Sequence, residues 1–152
     1  MELVGVYGPW TLQSEYYCTF IHDASVSKQP PLGTLFYQGT YVEVLYFLTG
    51  ETRAYDRQNA VFDRVIPRRN FNIWSDEFGC GAWQIGIRYG YLDLQNKGVN
   101  GATLNDITLG LNWFLNPNAK LQWNLAIDHR ESTPPGSSGW TYIFGGRVAI
   151  DF

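Results

Sequence analysis

Polar side chains recur at every second position through several stretches of the chain, interleaved with aliphatic and aromatic ones. Gln13 and Glu15 form one such set, Glu43 stands in the next, and Gln84 with Arg88 and Thr108 with Asn112 follow. Gln122, Asn124, Asp128 and Arg130 continue the pattern, and Arg147 closes it. Amides, hydroxyls and charges of both signs at alternate positions suit hydration and brief contact with dissolved ions. Rings of such charge tune which ions pass a pore. Arg88, Lys120, Arg130 and Arg147 would make a basic track, but Glu15, Glu43, Asp106, Asp128 and Asp151 share their face. Opposite charges facing one another across strands commonly pair. Cross-strand pairing is therefore the expectation, with Arg88 and Arg147 as the residues that would bias such a face toward anions.

Bond-making chemistry finds little to work with. His22 and His129 are the only histidines, and His129 beside Asp128 fits a strand-end surface position. Ser137 and Ser138 lie in a Gly-Ser-Ser-Gly run, which is not a nucleophile elbow. No Cys/His spacing suits a metal. No catalytic residue, metal or cofactor is expected. Cys18 falls mid-strand and Cys80 in a Gly-rich turn, so the two are expected as free thiols.

A period of two places successive side chains on opposite faces and means β-strand. The pattern predicts strands over 10–21, 34–48, 83–91, 107–115, 121–130 and 140–152, with a stub over 1–7. The last is the clearest: Trp140, Tyr142, Phe144, Val148, Ile150 and Phe152 share one face, and Arg147 and Asp151 the other. At about 3.3 Å per residue and a tilt of about 40°, that strand covers roughly 33 Å along a membrane normal. Tyr142, Phe144, Val148, Ile150 and the terminal Phe152 resemble the sorting and assembly signal of bacterial outer-membrane barrels.

Composition agrees. Charged residues are 16 %, against roughly 25 % in soluble domains. Aromatics are also 16 %, which suits strands with one face in lipid and one in water. The net charge of −3 carries no basic stripe, so no nucleic acid is expected as partner. No apolar run is long enough for a transmembrane helix.

The connections alternate in character. Gly8-Pro9 and Asn116-Pro117-Asn118 are tight turns, whereas 22–33, 95–102 and 131–139 are longer polar loops. Short turns belong on the periplasmic side of bacterial barrels and longer loops outside. Trp10 and Trp113 then fall near periplasmic strand ends and Trp140 near an external one, as interfacial girdles require. The stretch 49–81 breaks the rule. It holds five arginines (Arg53, Arg57, Arg64, Arg68, Arg69) and five acids (Glu51, Asp56, Asp63, Asp76, Glu77). It is expected as a long turn or self-paired insert with a short strand near 61–66.

Six strands and a stub are too few for closure, since bacterial barrels need at least eight. Open edges in lipid are not viable. The expected domain is therefore 1–152 as a partial barrel, a fragment for which Met1 is not the true start. The N-terminus has no signal-peptide pattern, so export is expected to be specified before Met1.

The stretches YGPWTLQSEY, YVEVLYFLTGETRAY, GAWQIGIRYGYLDL and GLNWFLNPNAKLQWN resemble the C-terminal part of the phosphate-selective porin O/P family. The resemblance covers most of 3–152. It implies an all-β fold of antiparallel transmembrane strands, the C-terminal part of a sixteen-stranded barrel that is usually a homotrimer in the outer membrane of Gram-negative-type bacteria. The implied activity is passive passage of small hydrophilic solutes, anions such as phosphate among them, past a constriction lined by basic residues. Outer-membrane lipid and the barrel-assembly machinery are the implied partners. The competing readings are a non-channel outer-membrane barrel with a structural or adhesive role, and a soluble barrel with its aromatic residues inside.

Overall fold

The computed structural model describes residues 1–25, 31–56, 58–59, 61–74, 78–132 and 137–151. Its strands are β1 (Glu2–Tyr7), β2 (Trp10–Ala24), β3 (Gly33–Phe47), β4 (Tyr55–Asp56), β5 (Val61–Phe62), β6 (Ala82–Asn96), β7 (Val99–Asn116), β8 (Ala119–Glu131) and β9 (Gly139–Ile150). Seven of them form one antiparallel sheet in the order β1-β2-β3-β6-β7-β8-β9. The order follows the chain, with one skip where β4 and β5 pair as a separate hairpin. The sheet is open, and β1 and β9 are its edges.

Three expectations need correction. Residues 95–102 are not a loop: β6 runs to Asn96 and β7 starts at Val99, leaving the two-residue turn Lys97-Gly98. Both turn residues have positive φ, 43° and 83°, as a two-residue hairpin of this twist requires. The contrast between short turns at one end and long loops at the other therefore fails here. The extra length has gone into the strands, which are 15 and 18 residues long. The strand near 61–66 is only Val61–Phe62. The final strand stops at Ile150, so Asp151 has left the sheet, although its N–H still donates to the Asn118 carbonyl at 2.8 Å. Phe152 lies outside the described residues, as do Arg57, Asp76 and Glu77 and parts of the loops over 22–33 and 131–139.

A single sheet has no second layer to bury its faces. A compact chain of this mass exposes roughly 7,800 Å²; this one exposes 10449 Å². Large apolar side chains contribute to the excess. Val42, Ile85, Ile87, Ile107, Leu109, Leu125, Tyr142, Phe144, Val148 and Ile150 all stand exposed on one face. Directly opposed residues of neighbouring strands share a face, and Val44, Ile87, Leu109, Leu125 and Phe144 form one such row. Aromatics collect near one edge of that face: Trp10 packs on Tyr46 at 4.4 Å, and Trp83 stacks on Trp113 at 4.7 Å. Near the opposite ends of the strands, Tyr89 donates to Asn105 at 2.8 Å and His129 packs on Trp140 at 4.5 Å.

Among the described residues a buried cluster lies on the other face, where Phe47, Val65 and Ala82 meet with Phe114 packed against them. Val65 comes from the segment between β3 and β6. That segment leaves the sheet at Gly50 (φ 83°) and returns at Gly81 (φ 68°). A Cβ at Gly81 would stand 2.4 Å from the Phe114 carbonyl oxygen, so the return is built for glycine.

Candidate functional site

The register brings the polar positions together on the face opposite the exposed aliphatic rows. Gln13 opposes Glu43, Glu43 opposes Arg88, and Arg88 opposes Thr108. Gln84 opposes Asn112, Asn112 opposes Gln122, and Gln122 opposes Arg147. Glu15 opposes Tyr41, Asn124 opposes Gly110, Asp128 opposes Asp106, and Arg130 opposes Leu104. This face encloses a trough of about 920 Å³, lined in part by Glu43, Gln84, Arg88, Thr108, Asn112, Gln122 and Asn124. Gln13, Glu15, Asp128, Arg130 and Arg147 share the face but lie beyond that trough. Tyr142, Phe144, Val148 and Ile150 stand exposed on the opposite face.

The segment between β3 and β6 closes one side of the trough with Arg53, Phe62, Asp63, Arg64 and Val65. Its course follows from what it must cover. Phe47, Ala82 and Phe114 are apolar residues at one end of the largely polar face, and Val65 packs into the cluster they frame. Phe47 is 0 % exposed in consequence. Arg53 lies with its guanidinium 4.0 Å from the Phe62 ring centroid, a cation–π contact. Burial lowers its pKa, and the charge of Glu43 raises it in part. Its Nε is buried and has no protein partner. Arg64 donates from Nη1 to Asn118 Oδ1 at 2.5 Å, which ties the segment to the β7–β8 turn.

The base of the segment is held by a buried acid. Glu51 accepts from the Thr49 hydroxyl and from the Arg68 backbone N–H at 3.1 Å, while Arg68 Nη2 donates to the Gly50 carbonyl at 2.5 Å. The β4–β5 turn is held by Asp56, whose carboxylate accepts from Asn59 Nδ2 and from the backbone N–H groups of Gln58 and Asn59. These bonds hold its pKa below the usual carboxylate value.

Within the trough the polar groups are organised rather than simply paired by charge. Gln122 Nε2 donates to Asn112 Oδ1 at 2.8 Å, and Asn112 Nδ2 donates to Gln84 Oε1 at 3.0 Å. Gln84 is 2 % exposed, and its own Nε2 has no protein partner. Arg88 lies 4.0 Å over the Tyr41 ring, and Tyr41 in turn accepts from Gln13 Nε2 at 3.0 Å. Thr108 donates to Asp106 at 3.1 Å, while Asp106 and Asp128 face each other across the β7–β8 pairing. Gly86 and Gly110 are directly opposed on this face, and the Leu45 side chain lies over Gly86, where a Cβ would stand 2.4 Å from its Cδ2.

The trough thus presents amides, hydroxyls and charges of both signs to one space. His22 Nδ1 lies 3.1 Å from Thr34 Oγ1, and His129 packs on Trp140, both away from the trough. Among the described residues no group of three metal-ligating side chains gathers. Cys18 and Cys80 are free, exposed thiols. Arg53, Arg64 and Phe62 are the site residues that alternation does not reveal, whereas Tyr41 shares the face of Glu43 by alternation and only its contact with Arg88 depends on register. The usable signal was Phe47, an apolar side chain on a polar face, which demanded a cover from somewhere in the chain.

The profile of the phosphate-selective porin O and P family matches residues 1–136. An uncharacterised protein of Caulobacter vibrioides is 33% identical over 118 residues, covering 75% of this chain and 23% of that protein. Porin O of Pseudomonas aeruginosa is 28% identical over 124 residues, covering 75% of this chain and 25% of that protein. The chain thus spans about a quarter of the length of the curated relatives it matches. With its all-β antiparallel sheet and the profile match running through most of its strands, the chain belongs to the phosphate-selective porin O and P family.

Proposed function

We propose that this chain forms part of the wall of an outer-membrane porin that passes small hydrophilic solutes, with anions such as phosphate favoured. The observation that carries the reading is the opposition of the two faces: a polar trough holding Arg53 and Arg88 on one side, bare aliphatic and aromatic rows on the other. Such a sheet is stable where one face meets hydrocarbon and the other water. Its open edges call for further strands to close a barrel, since unpaired edges in lipid are not viable. Sixteen strands in all, a homotrimeric assembly and delivery by the barrel-assembly machinery belong to the same proposal. Arg147, one strand along from the trough in the row of Gln84, Asn112 and Gln122, extends the basic track.

The decisive measurement is conductance of the full-length protein in planar bilayers under a salt gradient. Discrete current steps and a reversal potential on the anion side are expected. Replacing Arg53 and Arg88 together by Ala should move that potential toward zero, with Arg147→Ala adding a smaller shift. The segment lying over the trough favours one alternative, a plugged barrel with a structural role. A folded, membrane-inserted protein that gives no current steps would establish that alternative instead.

A further inference from the structure

Toward the β6–β7 turn the polar face holds a second hollow, which shares Arg88 and Asp106 with the trough. Two adjacent register rows build it. In the first, Tyr17 opposes Gly39, Gly39 opposes Leu92, and Leu92 opposes Leu104. In the second, Tyr41 opposes Gly90, Gly90 opposes Asp106, and Asp106 opposes Asp128. Each row thus lacks one side chain, at Gly39 and at Gly90. Tyr17 fills the first gap by lying across Gly39, where a Cβ would overlap its phenol ring. The second gap stays open, since a Cβ at Gly90 would meet nothing nearer than Asp106 Oδ1 at 3.6 Å. The result is a hollow of about 260 Å³.

Its lining divides by chemistry. The Tyr17 ring is 46% exposed, and Leu92 and Leu104 continue an apolar surface beside it. The carboxyl groups of Asp106 and Asp128 supply acceptors. The Arg88 guanidinium, held 4.0 Å over the Tyr41 ring, supplies donors. An apolar platform beside hydrogen-bonding groups of both kinds matches a ring with an apolar face and a polar edge. A pyranose is such a ring: its C–H face stacks on an aromatic, and its hydroxyls both donate and accept. Neither an anion nor a cation meets charge of a single sign here, because Arg88 stands with the two acids. The volume lies below the roughly 300 Å³ at which pockets for drug-sized ligands begin, which suits one sugar ring.

We propose that this hollow is a subsite for a neutral pyranose, stacked on Tyr17 with its hydroxyls on Asp106, Asp128 and Arg88. This rests on the reading of the polar face as a lumen and adds a class of solute to it. Weak binding serves a pore, because a solute must leave as readily as it enters.

The test is saturation-transfer NMR on the full-length protein in lauryldimethylamine oxide micelles, a detergent without a sugar headgroup. The probes are D-glucose and D-sorbitol, an open-chain polyol with no rigid face. Saturation of the glucose C–H protons is expected to exceed that of sorbitol several-fold. Tyr17→Ala should bring glucose down to the sorbitol level, and Tyr17→Phe should keep the difference. Equal saturation of the two probes by the unaltered protein would overturn the subsite, as would a glucose preference that survives Tyr17→Ala. Should Tyr17→Ala fail to fold because Gly39 is uncovered, Asp128→Ala decides in its place: a several-fold higher half-saturating glucose concentration is expected, and an unchanged one would overturn the subsite. Conductance of the same preparation in planar bilayers keeps the two proposals apart. Current steps without a glucose preference reject the subsite alone, and a glucose preference without current steps rejects the pore alone.

Discussion

Asn112 stands between two other amides, accepting from Gln122 and donating to Gln84. Gln84 is buried and already has one donor atom without a protein partner. Removing Asn112 would leave its acceptor unpaired as well, and an unsatisfied buried polar group costs about 1–3 kcal/mol. Asn112→Leu is therefore expected to destabilise the folded barrel by about that much, read as a lower midpoint in urea unfolding of the full-length protein. Gln122→Leu should cost less, because Asn112 lines the trough and its freed acceptor can turn to water. Both residues were legible as polar-face positions from alternation alone. Their hydrogen-bonding order was not, since it depends on cross-strand register, which the period of two leaves free. Arg53 was less legible still. Nothing in its local sequence separates it from Arg68 or Arg69, yet it reaches the trough while those two lie at the rim.

The β3–β6 segment was expected as a solvated, self-paired insert because its charges cancel. It behaves as a strap instead, with one limb on each side of the sheet. The strands themselves were readable because half-buried strands advertise their period. The strap was not, because its residues answer to positions far away, Val65 to Phe47 and Phe114, and Phe71 to Trp113. The Lys97-Gly98 hairpin was missed for a different reason: a polar run with two glycines suggests a loop, but positive φ at both turn residues lets a strand pair close in two. The inner limb offers a direct test. Val65 is nearly buried, and Val65→Asp would place an unpaired charge in an apolar cluster, which is strongly unfavourable. The inner limb should lift away while the strands remain paired. Larger single-channel conductance with an unchanged circular-dichroism spectrum is expected; unchanged conductance would mean that the limb does not restrict the pore. Acid should loosen the same limb at its β4–β5 turn. Asp56 has a folded pKa below its unfolded value of about 3.9. Its contribution is fully present above that value and is lost as pH falls through the lowered folded one. Amide exchange at Gln58 and Asn59 should therefore accelerate below about pH 3.9, and flat protection down to pH 2 would contradict the assignment.

Seen whole, the molecule is one layer, polar on one side and apolar on the other. Expressed alone in water, residues 1–152 are expected to self-associate and to become dispersed only in detergent, as light scattering coupled to chromatography would report. A detergent-free monomer would favour the soluble-barrel reading, which requires the aromatic side chains to lie inside. The strand order also bears on how the sheet comes together. Every pairing within it joins consecutive strands except that of β3 with β6, which spans the longest connection. That connection, from Phe47 to Ala82, is about four doublings longer than the Pro117-Asn118 turn. Each doubling costs about 0.6 kcal/mol of closure entropy, so this closure is roughly 2.4 kcal/mol dearer. The strap's ends answer that cost locally: the Leu48 N–H donates to the Trp83 carbonyl at 2.8 Å, and the Trp83 N–H donates to the Thr49 hydroxyl at 3.0 Å. The sheet is thus a zipper with one slow tooth. The segment that lies over the trough in the finished protein is also the one that decides when the β1–β3 block and the β6–β9 block become a single wall.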